Sequence, residues 1–347
     1  MRKNRQAAIF RLRWRWIAIP ILAAAFCVPV LCLPPGPAIL LASLPSPSRV
    51  AIDGPNAYVA SQDVVTCEPP SMLCNTLFEV PLDGTPPRRL LVQGGLPILD
   101  IAVRSGTVYF TGCGGNVWSL APGATKPRIF ATGPHEPWAI ATDATHVYFT
   151  ARGTQDLRNG TVVRVPLAGG APEVVASGIG SPMQLALDDA YLYVSQLGDR
   201  ATGYPDSALL RISKNGGGPA VVLAADRGPV SGLAADGASV FWAATGLRRG
   251  EGGGVYRVDR GGGRIQVLAD HQKGPNGLAI DETSVYWTAG DGSVRRIAKT
   301  GGAIATLARG QDCPFDIAAG PRTVVWTNAG TSLEETSLPG SLMAMSH

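Results

Sequence analysis

The chain predicts an all-β fold: a seven-bladed β-propeller of four-stranded antiparallel blades, its last blade closed by an N-terminal strand. Three observations carry this. First, a short apolar run usually ending in Ala-x-Asp, then a turn, then a run such as Val-Tyr-Trp-Thr, recurs seven times. The second run is anchored at Tyr58, Tyr109, Tyr148, Tyr193, Phe241, Tyr286 and Val325, with spacings of 51, 39, 45, 48, 45 and 39 residues. A strand-like repeat with a period of about 40–50 residues is the mark of a propeller. Second, all seven copies carry Ala two residues before the Asp position: Ala51, Ala102, Ala141, Ala186, Ala234, Ala279 and Ala318. A branched apolar residue precedes each. Inner strands crowd round an axis and need one small and one bulky face there. Third, the last copy ends without a fourth strand, and the N-terminus supplies an orphan, Ala38-Ile39-Leu40-Leu41-Ala42-Ser43.

Residues 1–35 read as a signal peptide or N-terminal membrane anchor, and residues 36–347 as the propeller. Arg2, Lys3, Arg5, Arg11, Arg13 and Arg15 precede an uncharged apolar stretch from Ile17 to Leu33. A basic flank, an apolar segment and small residues are the pattern of a secretory signal. The expected location is therefore outside the cytoplasm: periplasm, cell surface or secreted. The segment also explains the charge. The whole chain holds 30 basic and 26 acidic residues, but six of the basic ones fall in this segment, so the rest carries 24 against 26. A propeller with net charge −2 gives no support to nucleic-acid binding, and membrane contact is expected only through the N-terminal segment.

The clearest blade runs from Pro275 to Gly310. Pro275-Asn276-Gly277-Leu278-Ala279-Ile280-Asp281 is the inner strand, Val285-Tyr286-Trp287-Thr288 the second, Val294-Arg295-Arg296-Ile297 the third and Ile304-Ala305-Thr306-Leu307-Ala308 the fourth. Polar or glycine turns separate them. The recurring Asp (Asp53, Asp143, Asp188, Asp236, Asp281) opens a tight turn, where its carboxylate accepts a backbone N–H two residues on. Arg104 and Gly320 stand in its place in the second and last copies.

Loops joining second to third strands are long and irregular, as in Ser61–Thr76 and Gln196–Ser207, whereas turns on the opposite face are short. Long loops on one rim of a rigid scaffold are where binding usually sits. The same face carries two rings of inner-strand residues at the mouth of the central channel. From these rings the candidate ligand-binding residues are Arg49, Asp100, Trp138, Gln184, Ser231, Asn276, Phe315 and Asp316. An apolar mouth with a few converging polar groups is a generic ligand site. A solvated funnel with Arg49 paired to Asp100 or Asp316 is the plainer alternative.

Four cysteines follow the N-terminal segment: Cys67, Cys74, Cys113 and Cys313. In an oxidising compartment an even number predicts two disulfides. The favoured pairing is Cys67–Cys74 with Cys113–Cys313, then cross-blade pairing through the first-blade loop, then a four-thiolate zinc site.

The Pro-Asn-Gly-Leu-Ala-x-Asp opening at Pro275 resembles the inner-strand motif of NHL-repeat and gluconolactonase-like propellers. Val285-Tyr286-Trp287-Thr288 resembles the first letters of the YWTD repeat. The chain departs from the latter: Gly112, Ala151, Ala244, Ala289 or Asn328 follows where YWTD has Asp, and seven blades are counted rather than six. The lactonase resemblance implies a divalent metal, Ca or Mg, which Asp100, Asn276 and Asp316 would hold. A propeller lyase would need a histidine base, for which His271 is the candidate. No nucleophile elbow or phosphate loop is present, so no catalytic residue and no cofactor is predicted. The expectation is an exported, monomeric, non-enzymatic scaffold binding a protein or small molecule on the long-loop face. The alternative is a metal-dependent, lactonase-like hydrolase or a lyase at the channel mouth.

Overall fold

The computed structural model describes residues 38–63, 74–94, 97–112, 114–133, 136–153, 159–197, 206–225, 227–246, 252–330, 332–333, 336–337 and 339–346. The N-terminal segment read as a signal, and most of the long loops, lie outside them. Within them the chain forms seven four-stranded antiparallel sheets and one two-stranded ribbon. The inner strands are Pro47–Asp53, Ile98–Arg104, Pro137–Thr142, Pro182–Leu187, Val230–Ala235, Pro275–Ile280 and Pro314–Ala319, for blades 1 to 7. In blades 1 to 6 the strands pair in sequence order. In blade 7 the outermost strand is Ile39–Leu44, hydrogen-bonded to Gly340–Ser346. The N-terminal strand thus closes the ring as the orphan segment predicted, and closure removes the free edges of an open array.

The core lies between blades. The second strands Ser239–Ala244 and Ser284–Ala289 are buried at every residue. A strand flanked by a sheet on each face loses the in–out alternation of a half-exposed one. That is why Val-Tyr-Trp-Thr, rather than an alternating pattern, marks the repeat. Trp242, Trp287 and Trp326 are among the largest fully buried side chains. One cluster joins Ala279, Tyr286 and Val294 of blade 6 to Ile317, Val324 and Trp326 of blade 7. Burial of each such large side chain stabilises by about 1.5–3 kcal/mol. Trp287 and Trp326 also donate their indole N–H to Gln272 and Gln311, at 3.3 and 3.0 Å.

Each inner strand breaks register near its start, for example between Pro137 and Ile140 and between Pro275 and Leu278. Proline opens five of the seven, where the missing N–H costs least. The bulge frees a backbone N–H, and a second-strand hydroxyl accepts it. Ala139 N reaches Thr150 Oγ1 at 3.0 Å, Gln184 N reaches Ser195 Oγ at 2.9 Å, Gly277 N reaches Thr288 Oγ1 at 3.0 Å, and Asp316 N reaches Thr327 Oγ1 at 3.1 Å. The threonine closing Val-Tyr-Trp-Thr is therefore a bulge cap.

On the opposite face the recurring Asp does more than hold its turn. Asp143 Oδ1 accepts Thr145 N and His146 N at 2.8 and 2.9 Å, while Oδ2 accepts Tyr148 Oη at 3.1 Å and Lys214 Nζ of blade 4 at 2.8 Å. Asp236 likewise takes Lys299 Nζ of blade 6 at 2.7 Å, and Asp188 lies 3.5 Å from Arg260 of blade 5. Burial opposes ionisation of Asp143, yet Lys214 and the turn N–H groups hold its carboxyl well below the usual range. The Asp is both turn anchor and latch to the next blade.

Candidate functional site

The bulges fall at the inner-strand starts, where the predicted mouth residues lie, and the structure brings four of those residues together. Arg49 Nε donates to Leu99 O of blade 2 at 2.8 Å and lies 3.8 Å from Asp100 Oδ1. Its guanidinium stacks 5.1 Å from the centre of the Phe315 ring. Asp100 accepts Ile101 N at 3.0 Å and Ile140 N of blade 3 at 2.9 Å. Asp316 accepts Val50 N of blade 1 at 2.9 Å. Blades 7, 1, 2 and 3 are thus stitched in series by side-chain-to-backbone bonds. About a quarter of the Arg49 and Asp100 side chains still reaches solvent. Burial pushes the Asp100 carboxyl up to about 6 against the lowering pull of Arg49. It raises Asp316 for the same reason, again with Arg49 opposing.

Ser231 is also committed to the ring, donating to Pro275 O of blade 6. At the equivalent of Arg49 and Asp100, blades 5 and 6 carry Gly232 and Gly277. A Cβ on Gly232 would sit 2.6 Å from Leu278 N, and one on Gly277 would sit 2.9 Å from Asp316 Cα. Here the backbones touch directly, and no side chain fits between them.

Three other predicted residues are half-buried. Trp138 is half-buried, with the Arg152 guanidinium 4.4 Å over its ring. The side-chain amides of Gln184 and Asn276 are half-buried and make no hydrogen bond among the described residues. Asn276 projects from blade 6, whereas the Asp100 and Asp316 carboxylates are drawn to the backbones of blades 3 and 1. Among the described residues, no three His, Cys, Asp or Glu side chains come close enough to share a metal ion. His271 lies at the end of the outer strand Gln266–Gln272 with its side chain 89% exposed, 3.7 Å from Asp270. His135, Cys67 and Cys113 lie outside the described residues, as does the side chain of Cys74.

Sequence reasoning missed Arg152, the hydroxyl caps and the latch cations. A signal for the last was present. Lys214-Asn215-Gly216-Gly217, Arg260-Gly261-Gly262-Gly263 and Lys299-Thr300-Gly301-Gly302 begin the turns after third strands with a basic residue.

No protein-family model matches the chain, and no curated protein sequence matches it. Solved structures do. The chain is similar to the PQQ-bound aldose sugar dehydrogenase of Streptomyces coelicolor, at 16% identity and a TM-score of 0.52, over 73% of this chain and 99% of that one. It is similar to the computationally designed protein Ika8 at 14% identity and a TM-score of 0.52, over 89% of this chain and 99% of that one. A chain of a nidogen–laminin complex matches at 17% identity and a TM-score of 0.49, over 64% of this chain and 84% of that one. At such identities the likeness is one of fold, and the chain is a seven-bladed β-propeller.

Proposed function

We propose that this propeller is a non-enzymatic binding scaffold whose partner docks on the channel-mouth face. The observation that carries this is how the charged mouth residues are used. Arg49, Asp100 and Asp316 compensate one another's charge and bind the backbones of adjacent blades. That use holds the ring together and leaves Trp138, Gln184 and Asn276 as the polar and aromatic groups facing outward. Aromatic groups beside adaptable amides suit recognition of a protein or small-molecule surface. The lactonase-like alternative requires Asp100, Asn276 and Asp316 in one coordination sphere. The cation that both carboxylates face is Arg49, so this donor set does not fit a divalent metal without rearrangement.

The scaffold is proposed to work as a monomer in the periplasm, at the cell surface or in the medium, with residues 1–35 as its export signal or anchor. Pairing of Cys67 with Cys74 and of Cys113 with Cys313 belongs to the same proposal. Its support is the even number of cysteines, four, beyond the N-terminal segment.

The test compares the bound partners of the wild-type chain and of a Trp138→Ala/Asn276→Ala variant in the envelope fraction, alongside a Ca²⁺, Mg²⁺ and Zn²⁺ thermal-shift screen. Loss of a defined partner on substitution, with no metal stabilisation, is the expected result. An unchanged partner profile sinks the scaffold reading. So does a metal-induced rise in Tm that Asn276→Ala abolishes.

A further inference from the structure

Among the blade interfaces whose residues are described, on the face opposite the channel mouth, one is incomplete. At three consecutive interfaces the pattern is shared. Asp143, Asp188 and Asp236 each meet a cation from the next blade: Lys214, Arg260 and Lys299. Lys214 and Lys299 also lie over the Tyr148 and Phe241 rings, at 5.4 and 5.5 Å. An arginine on the third strand then seals the cation's own carbonyl. Arg164 donates to Lys214 O at 2.7 Å, Arg211 to Arg260 O at 2.6 Å and Arg257 to Lys299 O at 3.4 Å.

Between blades 1 and 2 the acceptors are kept and both donors are gone. Asp53 and Tyr58 stand where Asp143 and Tyr148 do. The position of Lys214 is taken by Pro122, and that of Arg164 by Glu79, which pairs with Tyr58 as Arg164 pairs with Tyr148. Pro122 is too short to fill the space a lysine occupies. The result is a cavity of about 150 Å³ whose lining includes Tyr58, Glu79, Arg88, Arg89, Gly106 and Pro122. Asp53 adjoins it through Gly106, whose N–H its Oδ2 accepts at 2.7 Å. Asp53 Oδ1 receives no hydrogen bond among the described residues.

We propose that this cavity binds a small organic cation with a primary ammonium or guanidinium head, which takes the place of the missing lysine. Its N–H groups meet Asp53 Oδ1 and the Pro122 carbonyl, with the Tyr58 ring beneath the charge; Glu79 contributes charge only, because its Oε1 already accepts Asn56 Nδ2 and Tyr58 Oη and its Oε2 accepts Arg88. The nearby cations do not fill the role. Arg88 is spent on Glu79 Oε2 at the exposed rim, and Arg89 lies over Phe78 at 5.9 Å. Burial first, then Glu79 and to a lesser extent Asp53, raise the Tyr58 phenol, with the Asn56 hydrogen bond opposing. This site is separate from the mouth, so it stands or falls independently of the scaffold reading.

The test is a calorimetric titration of the full chain with n-butylammonium and n-butylguanidinium, with n-butanol as neutral isostere and acetate and phosphate as anion controls. At least tenfold tighter binding of a cation than of butanol is expected. Pro122→Lys supplies the sister residue and is expected to weaken cation binding tenfold or more while raising Tm. Should that variant fail to fold, Asp53→Asn is expected to weaken binding by a similar factor. Equal affinity for cation and butanol, preference for either anion, or unchanged binding in the folded variants overturns the proposal. Blocked N-acetyl-lysine methylamide separates the sources. Its binding means a peptide lysine fits, and its exclusion with butylammonium retained restricts the site to free amines; both support the site.

Discussion

Replacing Asp100 with Asn should stabilise the propeller at neutral pH and flatten its acid response. Asp100 sits among Arg49, Asp316 and the backbone of blade 3, with its carboxyl raised from 3.8 to about 6. A raised acid binds its proton more tightly folded than unfolded. Its ionisation therefore costs stability, the cost growing as pH rises from about 4 to about 6 and complete above that. A shift of about 2 units corresponds to about 3 kcal/mol at most, and water in the channel reduces it. Asp316 is raised in the same direction and adds to the slope. The latch carboxylates act elsewhere on the pH axis. Asp143, Asp188 and Asp236 are held low, so their contribution is present above the ordinary carboxylate value and lost only as pH falls below it. In Asp100→Asn the amide oxygen still accepts Ile140 N–H, at the loss of the Ile101 N–H contact to Oδ1, and the Arg49 charge still offsets that of Asp316. The gain at pH 7.5 is expected to be about 1–3 kcal/mol, or roughly 2–8 °C in Tm. Thermal unfolding from pH 4.5 to 8 is the assay. A variant with lower Tm at pH 7.5 and an unchanged slope between pH 4.5 and 6.5 would refute the reasoning. It would mean that the Arg49 pairing outweighs the burial of the charge.

Two other predictions rest on the ring. Lys214→Met leaves Asp143 ionised and half-buried without its cation, and is expected to cost about 2–4 kcal/mol; in a double-mutant cycle with Asp143→Ala, a coupling below about 0.5 kcal/mol would show that the two act separately. Gly277→Ala forces a Cβ against the blade 7 backbone at 2.9 Å, and is expected to destabilise by about 1–3 kcal/mol in chemical unfolding, whereas Gly237→Ala, with open space around its Cβ, should change little.

The architecture was legible because a propeller writes its constraints once per blade. Ala at every inner strand and apolar runs in every second strand report radial crowding and two-sided burial, which are local demands repeated seven times. The orphan strand at Ile39 was legible for the same reason, since a missing fourth strand in blade 7 required one elsewhere. The role of the mouth residues was not. Asp100 and Asp316 read as carboxylates facing a channel, open to a ligand or paired with Arg49, and nothing in a linear pattern announces a bulge that turns their oxygens onto a neighbour's backbone. The bulge did leave a trace, Pro at the first inner position in five blades, but its consequence depends on the hydroxyl at Thr150 or Thr288 in another strand.

The latch was illegible for a deeper reason: it belongs to pairs of blades. Aligned within one repeat, Asp143 and Lys214 look unrelated, because they lie in different copies. Read across copies, their absences match. Blade 2 has Arg104 in place of the Asp, and blade 3 has Leu167 in place of the cation. Blade 7 has Gly320, and blade 1, which follows it round the ring, has Leu82. Where the acid is missing, so is its partner, as expected if an unpaired half-buried charge is costly. Asp53 breaks this rule, for it faces Pro122. An acceptor kept without its donor, where the blade 2–3 and blade 7–1 interfaces lose both together, is what singles out the blade 1–2 cleft as the interface proposed to take its partner from outside the chain.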